Sequence, residues 1–541
     1  MLILAPVILL LIAAVILIIL HWQRPGFGLA WLISTGSTLI AWLLVMFLRL
    51  RLPDIITIAQ WHPYTLFLES PQFILDRISW PYLFSLAILA FGVLLTATAR
   101  ARDRSNPLDW AGTLAMIALG MLAVMAANPL TLMMAWVAID IVEFIILLST
   151  LNDVQVARRS VVSFAARIGG TIFLVWVVIS NPGLPGNLQY NLDLSHIPDR
   201  ASIFIILSVG LRLGVFPLHL PFSQEPRLRR GLGSVMRLVP LASSLVLLGR
   251  LSGEVVSQQW KPYLSGLAIL AALYCGIMWL ISKDELTGRP FWLIGWASLS
   301  LICAINGLAA FSIAWGVVAI LPGGLLFLFS AREKQLLFLP ALALLGLSGL
   351  PFTPAASGWQ GLVGKQFSVG SLFAILAHAF FLLGYARHAL RPGDTMSKVE
   401  RWARFTYPLG LLILVAGDII LGIWGWPGSR TVGIWWVELI SAGVISGMII
   451  VYIRYYETLK KSPVTGFFSS FTSILILRRA ARYIMDFLRL DWLYQLLSWT
   501  YQGVGFVLGG VISILEGDGG VLWALVIVSL LLSLIIHGGL L

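Results

Sequence analysis

Long apolar stretches recur along almost the whole chain, and few charged side chains interrupt them. Of the 541 residues, 59% are hydrophobic and only 11% are charged, whereas soluble domains are about half apolar and a quarter charged. A transmembrane helix needs about 20 mainly apolar residues. Because backbone groups in lipid must satisfy one another, the sequence predicts an all-α fold, a polytopic transmembrane helix bundle.

Windows long enough for one crossing predict about sixteen spans. Their centres are Val15, Ala41, Ile88, Ala118, Ile141, Phe173, Ser208, Leu241, Tyr274, Ser298, Val318, Leu345, Ala377, Val415, Val444 and Val528. The first run, residues 1–20, has no basic region before it and no small-residue cleavage site after it. It is therefore predicted to be a retained span and not a secretory signal.

Connections rich in lysine and arginine alternate along the chain with connections that have few of them. Numbered in chain order, the odd connections carry most of them, for example Arg100, Arg102 and Arg104, and the even connections far fewer. The positive-inside rule then predicts that the odd connections are cytoplasmic and that both termini lie outside the cell membrane. The net charge of +12 is explained by this topology, so nucleic acid is not predicted as a partner.

One stretch near the C-terminus predicts a helix that does not cross the membrane. In residues 477–492 the charged side chains share one helical face and the apolar side chains share the other, a pattern typical of an amphipathic surface helix. The predicted organisation is a bundle of about fifteen spans over residues 1–460. Residues 461–541 then hold the surface helix and a final span.

Ionisable side chains inside spans are costly and therefore mark candidate functional sites. Two of them lie three residues apart on the fifth span and share a face. The candidates for ion translocation are Asp140, Glu143, Arg212, His219, His378 and Asp418. A structural alternative stays open, because a buried ion pair can serve helix packing alone.

The sequence offers no basis for bound cofactors. Cys275 and Cys303 both lie inside apolar runs, which argues against a disulfide framework and against zinc or iron–sulfur sites. The connections are too short for a soluble catalytic domain. No catalytic residue, metal ligand or cofactor-binding residue is therefore predicted.

The run from Arg212 through Pro217 to His219 is the most informative motif. It resembles the seventh span of the antiporter-like membrane subunits of respiratory complex I (NADH-quinone oxidoreductase) and of multisubunit cation/proton antiporters. In that family a lysine is followed five residues later by proline and seven later by histidine. Residues 128–136 are similar to the start of the family's fifth span, and residues 345–352 to its broken twelfth span. Pro217 and Pro351 are expected to interrupt their helices, because proline lacks a backbone donor.

The chain departs from the family at its proton-carrying positions. The fifth-span glutamate corresponds to Val137, the seventh-span lysine to Arg212, and the twelfth-span lysine or glutamate to Ala356. The eighth span has no lysine, and Arg237 lies toward its cytoplasmic end. A buried lysine can release its proton, whereas arginine stays protonated. The sequence therefore predicts a divergent member of the family.

Arg212 is expected to form an ion pair with Asp140 or Glu143. Counting along both spans at about 1.5 Å per residue places the acids and the arginine at a similar depth. Placing an arginine at the bilayer centre costs about 2.5 to 3.5 kcal/mol of insertion free energy on scales from translocon-insertion experiments. Because arginine does not lose its proton, we expect a carboxylate partner to balance its charge.

The resemblance implies an antiporter-like membrane-arm subunit of a complex I-related or cation/proton antiporter assembly. Such a subunit would contribute to proton or sodium translocation or serve as a degenerate scaffold, with other membrane subunits and the lipid bilayer as partners. Any enzymatic role would be that of a non-redox subunit. Two alternatives stay open: a stand-alone secondary transporter, which broken spans also fit, and a lipid-linked polysaccharide polymerase or glycosyltransferase, which would need polar clusters in its outer loops.

Overall fold

The computed structural model describes residues 2–24, 29–58, 70–100, 107–150, 154–180, 199–220, 230–251, 256–363, 368–393, 396, 400–454, 491–516 and 520–537. These residues form 18 α-helices and one small sheet. Two compact units divide the chain, Met1–Ala480 and Ala481–Leu541.

The described part of the first unit contains sixteen helices. In chain order they are α1 (Ala5–Gln23), α2 (Ala30–Leu48), α3 (Ser79–Ala97), α4 (Pro107–Met125), α5 (Pro129–Thr150), α6 (Val154–Ser180), α7 (Asp199–Leu213), α8 (Arg230–Gly249), α9 (Lys261–Ile281), α10 (Glu285–Ile305), α11 (Ser312–Leu328), α12 (Phe338–Ser348), α13 (Pro354–Val363), α14 (Val369–Ala389), α15 (Arg401–Trp424) and α16 (Trp435–Arg454). The second unit contains α17 (Asp491–Glu516) and α18 (Gly520–His537).

Among the described residues, 12 helices are long and apolar enough to cross a membrane by length and composition. Four shorter apolar helical stretches accompany them: Ile203–Leu213, Lys334–Ser348, Trp435–Ile450 and Ala524–Ser533. Every predicted span centre lies in one of these elements. The prediction of an all-α, multi-pass membrane bundle is confirmed.

Burial separates inner helices from outer ones. The apolar stretches of α8 and α10 are buried along their whole length, and those of α3 and α11 almost so. By contrast, α1, α2 and α9 bury fewer than half of theirs. A helix that is apolar on all sides and buried belongs to the core of a bundle. Arg237 on α8 is therefore carried by a core helix.

The connection between α2 and α3 contains the only strands in the described part of the chain. β1 (Asp54–Thr57) pairs antiparallel with β2 (Gln72–Leu75), with Asp54 opposite Leu75. Asp76 follows β2 and receives a hydrogen bond of 2.8 Å from the backbone N–H of Ser79 at the start of α3. The same side chain pairs with Arg250 at 2.7 Å. Sequence reasoning missed this hairpin because each strand is only four residues long.

The structure describes the chain at both prolines where an interruption was expected. After α7 the chain turns at Gly214, with φ of 77°, and Pro217 lies in this turn. A second turn separates α12 from α13; it contains Gly349, with φ of 87°, and Pro351. Left-handed backbone of this kind costs glycine little. Residues 221–229, which follow the first turn, lie outside the described residues.

The second unit differs from the predicted layout. Residues 477–490 of the predicted surface helix lie outside the described residues, and the last two residues of that stretch begin α17. α17 has 26 residues and covers a stretch where no span was predicted. Four glycines between positions 503 and 510, with several polar side chains before them, interrupt the apolar pattern there.

Candidate functional site

Five ionisable side chains from four consecutive helices meet inside the first unit. They are Asp140 and Glu143 on α5, Arg167 on α6, Arg212 on α7 and Arg237 on α8, and we call them the buried charge cluster. Their exposed fractions range from 0% for the two acids to 5% for Arg237. The interior of the bundle therefore holds two carboxylates and three guanidinium groups together.

The pair between Asp140 and Arg212 is bidentate. Arg212 Nη1 donates to Asp140 Oδ2 at 2.8 Å, and Nη2 donates to Oδ1 at 3.1 Å. Nη1 also donates to Thr171 Oγ1 at 2.9 Å, and the guanidinium lies 4.2 Å from the centre of the Trp136 ring. Paired N–H···O bonds and a stacked indole hold the guanidinium in one orientation. The ion pair expected from the sequence is confirmed.

Two further arginines extend the pair into a network. Arg167 Nη1 lies 2.5 Å from Glu143 Oε2 and 3.4 Å from Asp140 Oδ1, so this arginine bridges both acids. Arg237 Nη1 contacts the other oxygen of Glu143 at 2.8 Å. Each acid therefore contacts two arginines. The network links α5, α6, α7 and α8 through charged contacts rather than through apolar packing alone.

Sequence reasoning missed Arg167 and Arg237 as members of this site; Arg237 was assigned to the cytoplasmic end of its span. Arg167 lies midway along α6, a helix of 27 residues. Arg237 lies well inside α8, more than a third of the way along that helix. The sequence did contain a signal for them. Asp140 and Glu143 share one face of α5 and carry two negative charges, whereas Arg212 supplies only one positive charge, so a further base was needed.

Close packing of α6 on α7 positions Arg212. Ser208 Oγ donates to the backbone carbonyl of Gly170 at 2.6 Å. A Cβ atom at Gly170 would lie 2.5 Å from Arg212 Cγ and 2.8 Å from the backbone oxygen of Ser208. Since real Cβ contacts are not this short, only glycine permits this approach.

Replacing Gly170 with alanine is expected to destabilise the protein by about 1 to 3 kcal/mol, because the added methyl group overpacks a fixed backbone. Gly169→Ala is the matched control. Its Cβ would meet only the Leu211 side chain, at 3.1 Å, and alanine favours helix more than glycine does. Equilibrium unfolding in detergent measures both variants, and equal stabilities would contradict the prediction.

His219 lies at the interrupted end of α7 and does not join the cluster. It is buried, and its Nδ1 lies 2.7 Å from the carbonyl oxygen of Pro217. Its backbone N–H donates to the Gly214 carbonyl at 3.0 Å. The Nε2 atom has no hydrogen-bond partner among the described residues. His219 thus packs against the turn itself.

His378 contacts the end of α12, where the chain turns toward α13. Leu347 lies in the last turn of α12, and the residue four positions later, whose N–H would continue the helix, is Pro351. Proline has no N–H, and His378 Nε2 instead lies 2.9 Å from the Leu347 oxygen. The imidazole therefore satisfies a carbonyl that the break leaves open. The rings of Trp359, Trp296 and Trp315 surround it with centroid distances of 5.0, 5.9 and 6.1 Å.

Asp418 on α15 reaches the same turn of α12 from another side. The side chain is buried, and a Cβ atom at Gly346 would lie 2.1 Å from its Oδ2. The carboxyl group therefore packs directly on the α12 backbone, one residue before the carbonyl that His378 satisfies. The structure places His378 and Asp418 at this interruption and not in the buried charge cluster.

A second group of charges lies where α10 begins. Glu285 contacts Arg230 at 2.6 Å and Arg332 at 2.9 Å. The preceding residue, Asp284, caps α10 and accepts a hydrogen bond of 2.7 Å from the backbone N–H of Thr287. We call Glu285, Arg230 and Arg332 the α10 charge cluster. It links the start of α10 to the start of α8 and to the connection that follows α11.

Metal-binding groups are absent from the described ranges: no three His, Cys, Asp or Glu side chains are grouped so that they could hold an ion there. Cys275 and Cys303 are both buried and unpaired in disulfides. The chemistry available to the described residues is that of fixed charges, two buried histidines of the motif regions and one buried carboxyl.

No protein-family model and no curated protein matches the sequence. Solved structures do match it. A chain of the membrane-bound sulfane sulfur reductase (MBS), an archaeal respiratory membrane complex, has a TM-score of 0.64 at 14% identity, with 97% of this chain and 99% of that chain covered. For the Mrp complex from Dietzia sp. DQ12-45-1b the values are 0.66 and 14%, with 93% and 62% covered.

Respiratory complex I from Thermus thermophilus contains a further similar chain, with a TM-score of 0.61 at 18% identity over 82% of this chain and 99% of that chain. Identities this low establish architecture and not activity. The chain has the fold of the antiporter-like membrane subunits of these complexes.

Proposed function

We propose that this chain is an antiporter-like membrane-arm subunit of a complex I-related or Mrp-like assembly, in which the buried charge cluster is a structural element and not a proton relay. The observation that carries this proposal is the bidentate pair of Arg212 with Asp140. Arg212 occupies the position where the similar motif has a lysine.

A relay needs a group that gains and loses a proton during turnover. A buried lysine can do so because desolvation favours its neutral form, whereas the guanidinium of arginine keeps its charge. All three bases of the cluster are arginines. Each of the two acids contacts two of these arginines.

A structural role explains the geometry. The cluster is buried, and every acid is satisfied by arginines from neighbouring helices. Arrangements of this kind specify which helices meet and in which register, even where they add little net stability. In this proposal the chain is such a subunit, and the buried charge cluster holds α5, α6, α7 and α8 together. Any proton or sodium movement then takes place in other parts of the chain or in its partners.

Purification of the tagged chain from its native membranes in mild detergent tests the assembly. We expect other polytopic membrane subunits to co-purify and to be identified by mass spectrometry. A chain that purifies alone and exchanges cations for protons in proteoliposomes would instead establish a stand-alone transporter.

A paired substitution tests the structural role of the cluster. Asp140→Asn combined with Arg212→Gln removes one charge of each sign and keeps a polar side chain at both positions. We expect proton or sodium transport per assembled complex, measured in membrane vesicles, to stay at the wild-type level. Transport lost in a fully assembled complex would contradict the proposal, and the unmodified complex is the control.

A further inference from the structure

Asp418 differs from every acid of the two charge clusters in having no basic partner among the residues that the structure describes. Its exposed fraction is 2%, and its Oδ1 has no hydrogen-bond partner among the described residues. Asp140, Glu143 and Glu285, by comparison, each contact two arginines. An unpaired carboxylate inside a transmembrane bundle is costly and is a functional candidate by default.

The four described helices that pack most extensively on α15 contain no counter-charge for Asp418. α15 packs against α3, α11, α12 and α13, and none of these four contains Asp, Glu, His, Lys or Arg. Their one ionisable side chain is Tyr82 on α3. On α14, Tyr385 lies within electrostatic range of Asp418 and donates to the Pro322 carbonyl at 3.1 Å.

Two basic side chains of the described residues lie well away from Asp418 along the axis of α15. Arg49 donates to the carbonyl of Trp424, six residues beyond Asp418 or about 9 Å along the axis. Arg404 lies on α15 itself, fourteen residues before Asp418 or about 21 Å away. His378 directs Nε2 at the Leu347 carbonyl and not at this carboxyl. Among the described residues, Asp418 thus contacts the α12 backbone at Gly346 and lies near Tyr385, with no ion pair to a basic side chain.

We propose that Asp418 is a proton-binding carboxyl at the interruption of α12 and carries its proton in the folded chain. It lies against Gly346, whose missing side chain admits the carboxyl group to the helix backbone. The broken helix supplies polar backbone groups at membrane depth, where a proton could be received or released. This assignment rests on the proposed function in one respect: it takes the proton to be the ion that the proposed assembly moves.

Dicyclohexylcarbodiimide distinguishes protonated from ionised carboxyls in apolar surroundings. The protonated acid adds across one C=N bond of the reagent, and the adduct rearranges to a stable acylurea without another reactant. Treatment of the detergent-purified full-length protein near neutral pH, followed by peptide mass spectrometry, reports each acid separately. We expect Asp418 to be modified and Asp140 and Glu143 to stay unmodified, because each of these two acids contacts two arginines and Asp418 contacts none among the described residues.

Infrared spectroscopy supplies the second measurement. The protein should show the carbonyl stretch of a protonated carboxyl, and Asp418→Asn should remove that band while leaving the stability unchanged. Asp140→Asn is the matched control, because it leaves Arg212 without its bidentate partner and should lower stability. An unmodified Asp418 with no such band would overturn the inference.

The two proposals can fail separately. A labelled Asp418 in a chain that purifies alone would support the proton site and remove the assembly. An unlabelled Asp418 in an intact multi-subunit complex would remove the proton site and leave the assembly.

Discussion

Replacing Arg212 with alanine is expected to lower the free energy of unfolding by about 3 to 5 kcal/mol, the usual cost of removing one partner from a buried ion pair. The substitution deletes both bonds to Asp140. The carboxylate then keeps only Arg167, at 3.4 Å, in a site that water does not reach. Equilibrium unfolding in detergent micelles measures the loss.

A double-mutant cycle separates the pair from the two side chains. Asp140→Ala alone should cost a similar amount, because it leaves Arg212 buried without a carboxylate. The combined variant should cost less than the sum of the two single changes, since it removes opposite charges together. Arg212→Lys is the matched control: it keeps the charge and loses the bidentate geometry, and it should fall between wild type and alanine. Strictly additive costs would contradict the pairing.

The spans and the central ion pair could be predicted from sequence because both follow from the cost of polar groups in lipid. Hydropathy placed every span centre inside a helix. Depth counting brought Arg212 to the level of Asp140, and the permanent charge of arginine made a partner necessary. These arguments need only one helix at a time or two helices of known direction.

The rest of the cluster could not be predicted in the same way. Arg167 and Arg237 each contact Glu143, but which helices surround α5 is decided by packing. Distance from a span end is a weak guide when the helix is longer than the apolar window, as α6 is. The contact between Asp418 and Gly346 likewise depends on two helices separated by some seventy residues.

The helix interruptions show a third case, in which sequence gives the place but not the consequence. Pro351 predicts that α12 must end, and it does. That His378 satisfies the open carbonyl of Leu347 requires the position of α14. Proline therefore locates a polar turn inside the bundle, and the neighbouring helices determine which side chains use it.

The α10 charge cluster leads to the last prediction. Glu285→Gln is expected to lower the free energy of unfolding by about 3 kcal/mol, because it leaves Arg230 and Arg332 facing each other without a carboxylate. The value lies at the low end of the range for buried pairs, since the Arg230 side chain is 25% exposed. Detergent unfolding at low and at high salt measures it. Salt should reduce the effect only in part, because Arg332 is 5% exposed and buried charges are screened weakly.

Asp284→Ala is the matched control, one residue away. Asp284 caps α10 instead of pairing with arginine, so its loss should cost about 1 kcal/mol. Burial raises the pKa of Asp284, but hydrogen bonds from Thr287 and Leu286 and the charge of Arg391 together outweigh this effect and hold the pKa below the ordinary value of 3.8. A carboxyl group whose pKa is lower in the folded chain than in the unfolded chain stabilises the fold at pH values above its unfolded pKa. This stabilisation is lost as the pH falls through the folded pKa. The difference between wild type and Asp284→Ala should therefore be constant near neutral pH and shrink below about pH 4. If Glu285→Gln cost no more than this capping variant, the α10 charge cluster would not stabilise the core helix.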